Sequence, residues 1–214
     1  ARRRRTVEDD TEAAIHSVTL ALSAFGGTQA DVSEVFGPGR LTSKAKGFGL
    51  RPGSAMDLRT GWDFDIPLHR ERAKSLLLSE RPMLLIGSPR CTPWTMIQNL
   101  RPASANWWKL LTQGIVHMVF VCELYAIQVN AGRLILHEAP ETAASWGLWM
   151  VKAILAMEGV ELYIGDQCPY GLWAHGAEGP GLVRKATGWM TNSYYIGIAV
   201  SLRCSNRGCL DGSQ

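Results

Sequence analysis

Residues 81–91 read Arg-Pro-Met-Leu-Leu-Ile-Gly-Ser-Pro-Arg-Cys, and this stretch decides the fold prediction. Its apolar run, residues 83–87, is continuous rather than alternating, which is typical of a strand buried on both faces. Strands of that kind belong to parallel sheets that are covered by helices. Proline then fixes φ and withholds a backbone donor, so residues 88–91 form a shaped loop at the carboxyl end of the strand.

Outward from this strand, short apolar runs alternate with longer helical stretches from residue 31 onward. We predict strands at 31–36, 54–58, 83–87, 133–138 and 160–166, and helices at 41–47, 67–79, 107–129 and 145–158. Residues 189–203 fit either a strand followed by a helix or a hairpin. The alternation predicts an α/β fold, a three-layer sandwich with a mostly parallel sheet.

Composition divides the chain into three parts. Residues 1–30 are a basic N-terminal arm with a lead-in helix at 11–23, residues 31–204 are the α/β domain, and residues 205–214 are a C-terminal tail. Hydrophobic residues make up 46% of the chain and charged residues 19%, which excludes global disorder. The apolar stretch 107–129 is interrupted by polar residues throughout, so we predict a buried helix and no membrane span.

The net charge is only +3, but Arg2, Arg3, Arg4 and Arg5 form a basic run. Such a run is either a solvated arm or a segment that docks on nucleic acid or on an acidic partner, including a large protein assembly. Both interpretations stay open at this stage.

The five cysteines are Cys91, Cys122, Cys168, Cys204 and Cys209, an odd number with no C-x-x-C pair. No histidines lie near Cys204 and Cys209, so we predict no metal site and no disulfide framework. This usage favours a reducing, intracellular location, with the nucleus and an organelle both open.

Polar or glycine-rich segments follow each predicted strand in turn. The first is the turn Phe36-Gly-Pro-Gly39, and Asp57, the loop 88–91, Glu138 and Asp166 follow the later strands. Ligands of parallel α/β sheets bind at the carboxyl ends of the strands. We therefore expect these segments to cluster at one edge of the sheet. Asp57 and Asp166 also fit a simpler role as helix caps.

Residues 87–95, Gly-Ser-Pro-Arg-Cys-Thr-Pro-Trp-Thr, resemble the Pro-Pro-Cys loop of DNA cytosine-5 methyltransferases. The turn at residues 36–39 resembles their Phe-x-Gly-x-Gly cofactor loop. Asp57 and Glu138 fall where that family has its ribose-binding acid and its Glu-Asn-Val glutamate. A closer likeness, over residues 31–204, is to methyltransferase-like domains of retroelement polyproteins, with runs similar to GWDFD, GSPPCT, HE-P, DQC-YG and VRK-T-W-TNS.

This resemblance implies a class I S-adenosylmethionine methyltransferase-like fold and methyl transfer to a nucleic-acid base of the cytosine-5 type. It implies Cys91 as the nucleophile that adds to ring carbon 6 and Glu138 as the acid for the ring nitrogen. It implies S-adenosylmethionine as cofactor, bound by residues from the first three strand ends: Phe36, Gly37, Gly39, Asp57 and Ser88. The target base must leave its stack to reach such a pocket.

A second function stays open, because this sequence departs from the family. Arg90 stands where the family has a second proline, Ala-Pro follows Glu138, and no stretch is long enough for a target-recognition region. These departures fit a catalytically inactive methyltransferase-like module, retained as a structural or nucleic-acid-binding subunit of a larger assembly. Cys91 is then an inert turn residue.

Overall fold

The computed structural model describes residues 27–94, 105–176, 179–205 and 209–211 of the chain. The arginine run at residues 2–5 and the predicted lead-in helix lie outside the described residues. The strands are β1 Val32–Val35, β2 Pro52–Met56, β3 Leu84–Gly87, β4 Leu134–Pro140, β5 Glu161–Asp166, β6 Trp173–Gly176, β7 Gly179–Arg184, β8 Ala186–Thr191 and β9 Cys209–Asp211. The helices are α1 Thr42–Ala45, α2 Pro67–Glu80, α3 Ala105–Asn130, α4 Trp149–Leu155 and α5 Tyr194–Ala199.

The central sheet has six strands in the order β2-β1-β3-β4-β8-β5. The first four are parallel neighbours, and β8 is antiparallel to both β4 and β5, so β5 runs in the same direction as the first four. Helices flank this mostly parallel sheet, which confirms the predicted three-layer α/β sandwich. A second sheet has the order β6-β7-β9.

The main core lies between the sheet and the helices α2, α3 and α4. Alternate strand residues point into it because successive side chains of a strand face opposite sides. The sheet supplies Val35, Met56, Leu85, Ile135 and Met190, and the helices supply Leu77, Phe120, Leu124, Tyr125 and Val151. The intervening strand residues Leu84 and Leu136 face the opposite side, where they pack with Ile196 of α5.

Helix α3 is the one helix among the described residues that is long and apolar enough, by length and composition, to cross a membrane, and 39% of its apolar window is buried. Several of its polar residues have partners within the fold. The partners are Asp65 for Gln113 and His117, Lys74 for Glu123, and the Pro82 carbonyl for Gln128. The helix also packs on β3, β4, α2 and α4, which supports the prediction of a core helix.

The structure differs from the predicted elements in three places. β2 begins and ends two residues before the predicted 54–58, because Asp57 caps the short 3-10 helix Leu58–Thr60 instead of continuing the strand. The predicted helix 145–158 is split at Leu148, whose backbone is extended, into the 3-10 helix Ala144–Gly147 and α4. The strands of the second sheet were not predicted, and β9 lies in the segment assigned to the C-terminal tail.

Candidate functional site

The polar strand ends lie along one edge of the central sheet. β2, β1, β3 and β4 are adjacent and parallel, so the residues that follow them meet at the same edge. The register pairs Val35 with Met56, Val35 with Gly87, and Gly87 with His137. Phe36, Asp57 and Ser88 are the first residues beyond β1, β2 and β3. Glu138 lies within β4, one position after His137, the partner of Gly87.

A cleft of about 410 Å³ opens at this edge, within the usual range of small-molecule sites. Three predicted cofactor residues, Phe36, Asp57 and Ser88, line it. The remaining lining comes from the loop after Asp57, from the residues around Cys91 and from the first half of α3: Leu58, Trp62, Asp63, Phe64, Asp65, Arg90, Pro93, Leu110, Gln113, Gly114 and His117.

Phe36 is held in a conformation that few residues other than glycine adopt. Its φ is 55°, in the left-handed region, and its amide donates to the Met56 carbonyl at 2.8 Å. Its ring packs edge-on against Phe64, with centroids 4.8 Å apart, and lies 5.2 Å from the ring of His117. This backbone conformation positions the aromatic ring of Phe36 in the wall of the cleft.

Asp57 has a structural role as well as a place in the cleft. Its Oδ1 accepts the Arg59 amide at 2.9 Å, and its own amide donates to Thr60 Oγ1, which together cap the 3-10 helix. The simpler interpretation of Asp57 as a cap is therefore confirmed. A carboxylate has four lone-pair sites, so capping leaves capacity for a hydroxyl group in the cleft.

The far side of the cleft carries an acid and imidazole pair. His117 Nε2 lies 3.0 Å from Asp65 Oδ1, and Gln113 donates to Asp65 Oδ2 at 2.9 Å. Burial lowers the pKa of His117, and the positive charges of Arg70 and Arg90 act in the same direction against the opposing effect of Asp65. A neutral imidazole beside three aspartates gives this cleft a negative lining.

The glycine turn lies outside the cleft lining, because Glu34 of β1 occupies it. Glu34 Oε1 accepts hydrogen bonds from the Leu41 amide, the Thr42 amide and Thr42 Oγ1, at 2.6 to 3.0 Å. A Cβ atom at Gly37 would lie 2.6 Å from Glu34 Oε2, which explains the glycine there. Gly37 and Gly39 therefore shape the turn around a buried carboxylate of the chain itself.

Cys91 is not among the residues that line the cleft, although Arg90 and Pro93 of the same loop line it. The Cys91 side chain is partly exposed. The Cys91 carbonyl accepts the Trp94 amide at 2.8 Å, which starts the 3-10 helix Thr92–Trp94. The prolines of this loop thus end β3 and turn the chain at once into a short helix, with the thiol at the corner.

Glu138 lies next along the edge, on β4, and its carboxyl group is held by two side chains. Lys185 Nζ lies 2.9 Å from Glu138 Oε1, and Gln167 Nε2 lies 3.4 Å from the same oxygen. Gln167 also donates to Thr187 Oγ1 at 3.0 Å. Sequence reasoning did not single out Lys185 or Gln167, although both fall inside the quoted runs VRK and DQC.

His137 is a buried group beneath this edge. Its Nδ1 lies 3.0 Å from the hydroxyl of Tyr125, and its ring packs edge-on against Tyr125 and Trp146. Burial lowers the pKa of His137 to about 4, so the ring is neutral at pH 7. It takes no part in the cleft and supports the strand that carries Glu138.

The depressed pKa of His137 predicts a loss of stability in mild acid. The unfolded chain protonates this residue near pH 6.5 and the folded chain only near pH 4, so stability falls as pH drops through that window. The loss attributable to His137 is about 3 kcal/mol. Urea unfolding at several pH values measures this loss. In His137→Gln, the slope of the free energy of unfolding against pH should decrease by the equivalent of about one proton. An unchanged slope in that variant would contradict the assignment.

No protein-family model matches this chain, and a search of curated proteins found no match. The site is therefore interpreted from its own geometry. That geometry is a negatively charged, aromatic-walled cleft that is partly lined by the loop carrying Cys91. Glu138 lies on β4 and pairs with Lys185.

Proposed function

We propose that this chain binds S-adenosylmethionine in the cleft and transfers its methyl group to carbon 5 of a cytosine in a nucleic acid. The observation that carries the proposal is the composition of the cleft. Phe36, Asp57 and Ser88 come from three different strand ends, and they line one cleft that is partly lined by the Cys91 loop. The resemblance to cytosine-5 methyltransferases implies these three residues together with Gly37 and Gly39, which do not line the cleft.

The residues of the cleft fit the chemistry of this cofactor. Phe36, Trp62 and Phe64 offer flat apolar surfaces for an adenine ring, and Asp57 offers acceptor oxygens for ribose hydroxyl groups. Asp63 and Asp65 supply negative charge that favours a sulfonium and an ammonium group. When bound, S-adenosylmethionine supplies an electrophilic methyl group.

Cys91 and Glu138 have complementary tasks in the proposed reaction. The Cys91 thiolate gives an electron pair to ring carbon 6, forming an S–C bond, and the ring electrons move through carbon 5 to the ring nitrogen, which takes a proton from Glu138. Carbon 5 then carries the electron density that accepts the methyl group, with the demethylated cofactor, a thioether, as the leaving group. Carbon 5 later releases its proton to solvent as the S–C bond breaks, and the ring nitrogen returns its proton to Glu138, which restores both the thiolate and the acid. Gln167 orients Glu138 for this task.

Asp57→Asn is expected to weaken S-adenosylmethionine binding by about 10- to 100-fold, because the variant loses a charged hydrogen-bond acceptor. Asparagine caps helices as well as aspartate does, so the 3-10 helix should persist. Calorimetric titration of the wild type and the variant measures the change. Glu158→Gln, which neutralises an exposed carboxylate outside the cleft lining, is the matched control. Equal affinity in wild type and Asp57→Asn would remove Asp57 from the cofactor site.

A second candidate function is a catalytically inactive module, and two contacts favour it. Glu34 already satisfies the amides at the start of α1, and Lys185 already pairs with Glu138. Both contacts compete with ligands for groups that the enzyme would use. The same titration decides between the two functions. If the wild-type chain binds neither S-adenosylmethionine nor its demethylated product, the inactive module is supported, and Arg2, Arg3, Arg4 and Arg5 become the candidate nucleic-acid contacts.

A further inference from the structure

Cys168 and the neighbouring pair Cys204 and Cys209 meet beyond the carboxyl end of β5. The sulfur atoms of Cys168, Cys204 and Cys209 all lie within 4.8 Å of one another. Cys168 is buried, and the other two are partly exposed. The remaining cysteines, Cys91 and Cys122, do not belong to this group.

We propose that Cys168, Cys204 and Cys209 form a zinc site and supply three thiolate ligands. Thiolates are the ligands that zinc prefers, and four residues separate Cys204 from Cys209, a spacing found in zinc sites. Zinc–sulfur bonds of about 2.3 Å place neighbouring sulfurs about 3.8 Å apart. The Cys204 and Cys209 sulfurs lie 3.1 Å apart, so binding requires a separation of about 0.7 Å more.

The surroundings of the three thiols fit a metal centre of negative charge. Zinc with three thiolates carries one net negative charge, and the Asp166 carboxylate, 1% exposed, adds a second. Arg184 Nε lies 3.8 Å from Asp166 Oδ1, and Arg203 Nε lies 3.4 Å from Asp166 Oδ2. Two guanidinium groups thus offset the two negative charges. Asp166 Oδ2 also accepts the Cys204 amide at 2.7 Å, which fixes the chain that presents Cys204.

The local backbone presents the thiols from three separate segments. Cys168 opens a 3-10 turn that closes at Gly171, whose φ is 82° and whose amide donates to the Cys168 carbonyl. Cys204 lies in the extended segment after α5, and Cys209 begins β9, which pairs in parallel with β7. A metal bound here would connect three separate parts of the chain: the end of β5, the segment after α5, and β9.

This site is independent of methyl transfer, but it lies beside the group that the proposed reaction uses. Gln167, which contacts Glu138, immediately precedes Cys168. A metal on Cys168 would therefore fix the loop that orients Glu138. Its role is that of a structural clamp, with no step in the proposed reaction.

Metal analysis of the full chain, purified under reducing conditions, tests the site. We expect one zinc ion per chain in the wild type and a loss of at least about tenfold in occupancy in Cys168→Ser, Cys204→Ser and Cys209→Ser. Cys91→Ser is the matched control, since it removes a partly exposed thiol outside the cluster, and its zinc content should equal that of the wild type. Undiminished zinc in Cys168→Ser would overturn the proposal.

Cobalt substitution in the wild type keeps the test decisive if a serine variant fails to fold. Tetrahedral cobalt bound by thiolates gives sulfur-to-metal charge-transfer absorption whose intensity reports the number of thiolates, and we expect three. Removal of the metal with a chelator should also lower the unfolding temperature. A folded wild-type chain that takes up neither ion would overturn the proposal. So would alkylation and mass spectrometry showing a disulfide between Cys204 and Cys209 in reducing buffer.

Discussion

Cys91→Ser is expected to reduce cytosine methylation by about 10⁴-fold or more, because a neutral hydroxyl replaces the nucleophilic thiolate. The fold should be unaffected, since Cys91 is partly exposed at the corner of a loop. Transfer of a labelled methyl group from S-adenosylmethionine to cytosine-containing DNA or RNA measures the rate. Cys122→Ala removes a thiol from the core and should retain the wild-type rate per folded molecule. A variant Cys91→Ser with wild-type activity would exclude the thiol mechanism.

Selective alkylation of the wild type gives a second measure of the Cys91 thiol. Cys122 is 5% exposed in α3, and burial raises its pKa to about 12, so it should resist reagent in the folded chain. Cys91, which is partly exposed, should react first, as read by mass spectrometry of the labelled peptides. If Cys91 reacts only after unfolding, its loop has a packing role and does not present the thiol. That result would favour the catalytically inactive module.

Gly165→Ala is expected to destabilise the fold by about 3 kcal/mol, at the upper end of the range for overpacking. A Cβ atom at this position of β5 would overlap the carbonyl oxygen of Val200. That carbonyl belongs to the backbone after α5, which is held in place by the hydrogen bond from the Asp166 amide to the Leu202 carbonyl at 2.8 Å. The obstacle is therefore backbone and cannot rotate away.

Chemical denaturation of Gly165→Ala against the wild type measures this cost. Gly147→Ala is the matched control, because no atom lies within 4 Å of its added Cβ and its φ is not positive. That variant should unfold within about 0.5 kcal/mol of the wild type. Similar unfolding midpoints for the two variants would show that the segment after α5 can move away from β5.

The sequence was sufficient to predict the parallel sheet and those residues of the cleft that follow strand ends. The continuous apolar run of β3 and the alternation with helices predict a parallel sheet, because burial on both faces removes the alternating pattern. In such a sheet the strand ends meet at one edge, which is why Phe36, Asp57 and Ser88 could be expected in one cleft before their positions were known.

The rest depended on geometry that no local pattern records. His117 reaches the cleft from the middle of a helix, and the pattern of polar strand ends gives no signal for such a residue. Lys185 precedes its strand, and it reaches the edge only because β8 is reversed. The three clustered thiols come from segments that the turn after β5 and the pairing of β9 with β7 bring together. Spacing along the chain relates Cys204 to Cys209, but it could not place Cys168 beside them.

The reversed strand β8 also imposes an order on synthesis. Among the described strands β5 pairs only with β8, yet β5 leaves the ribosome first. Until residues 186–191 emerge, the nascent sheet ends at β4, an open edge with an apolar centre at Ile135 and Leu136, and β5 has no partner. Unpaired edges of this kind recruit other chains. The growing polypeptide therefore keeps an unprotected sheet edge until its last central strand is made.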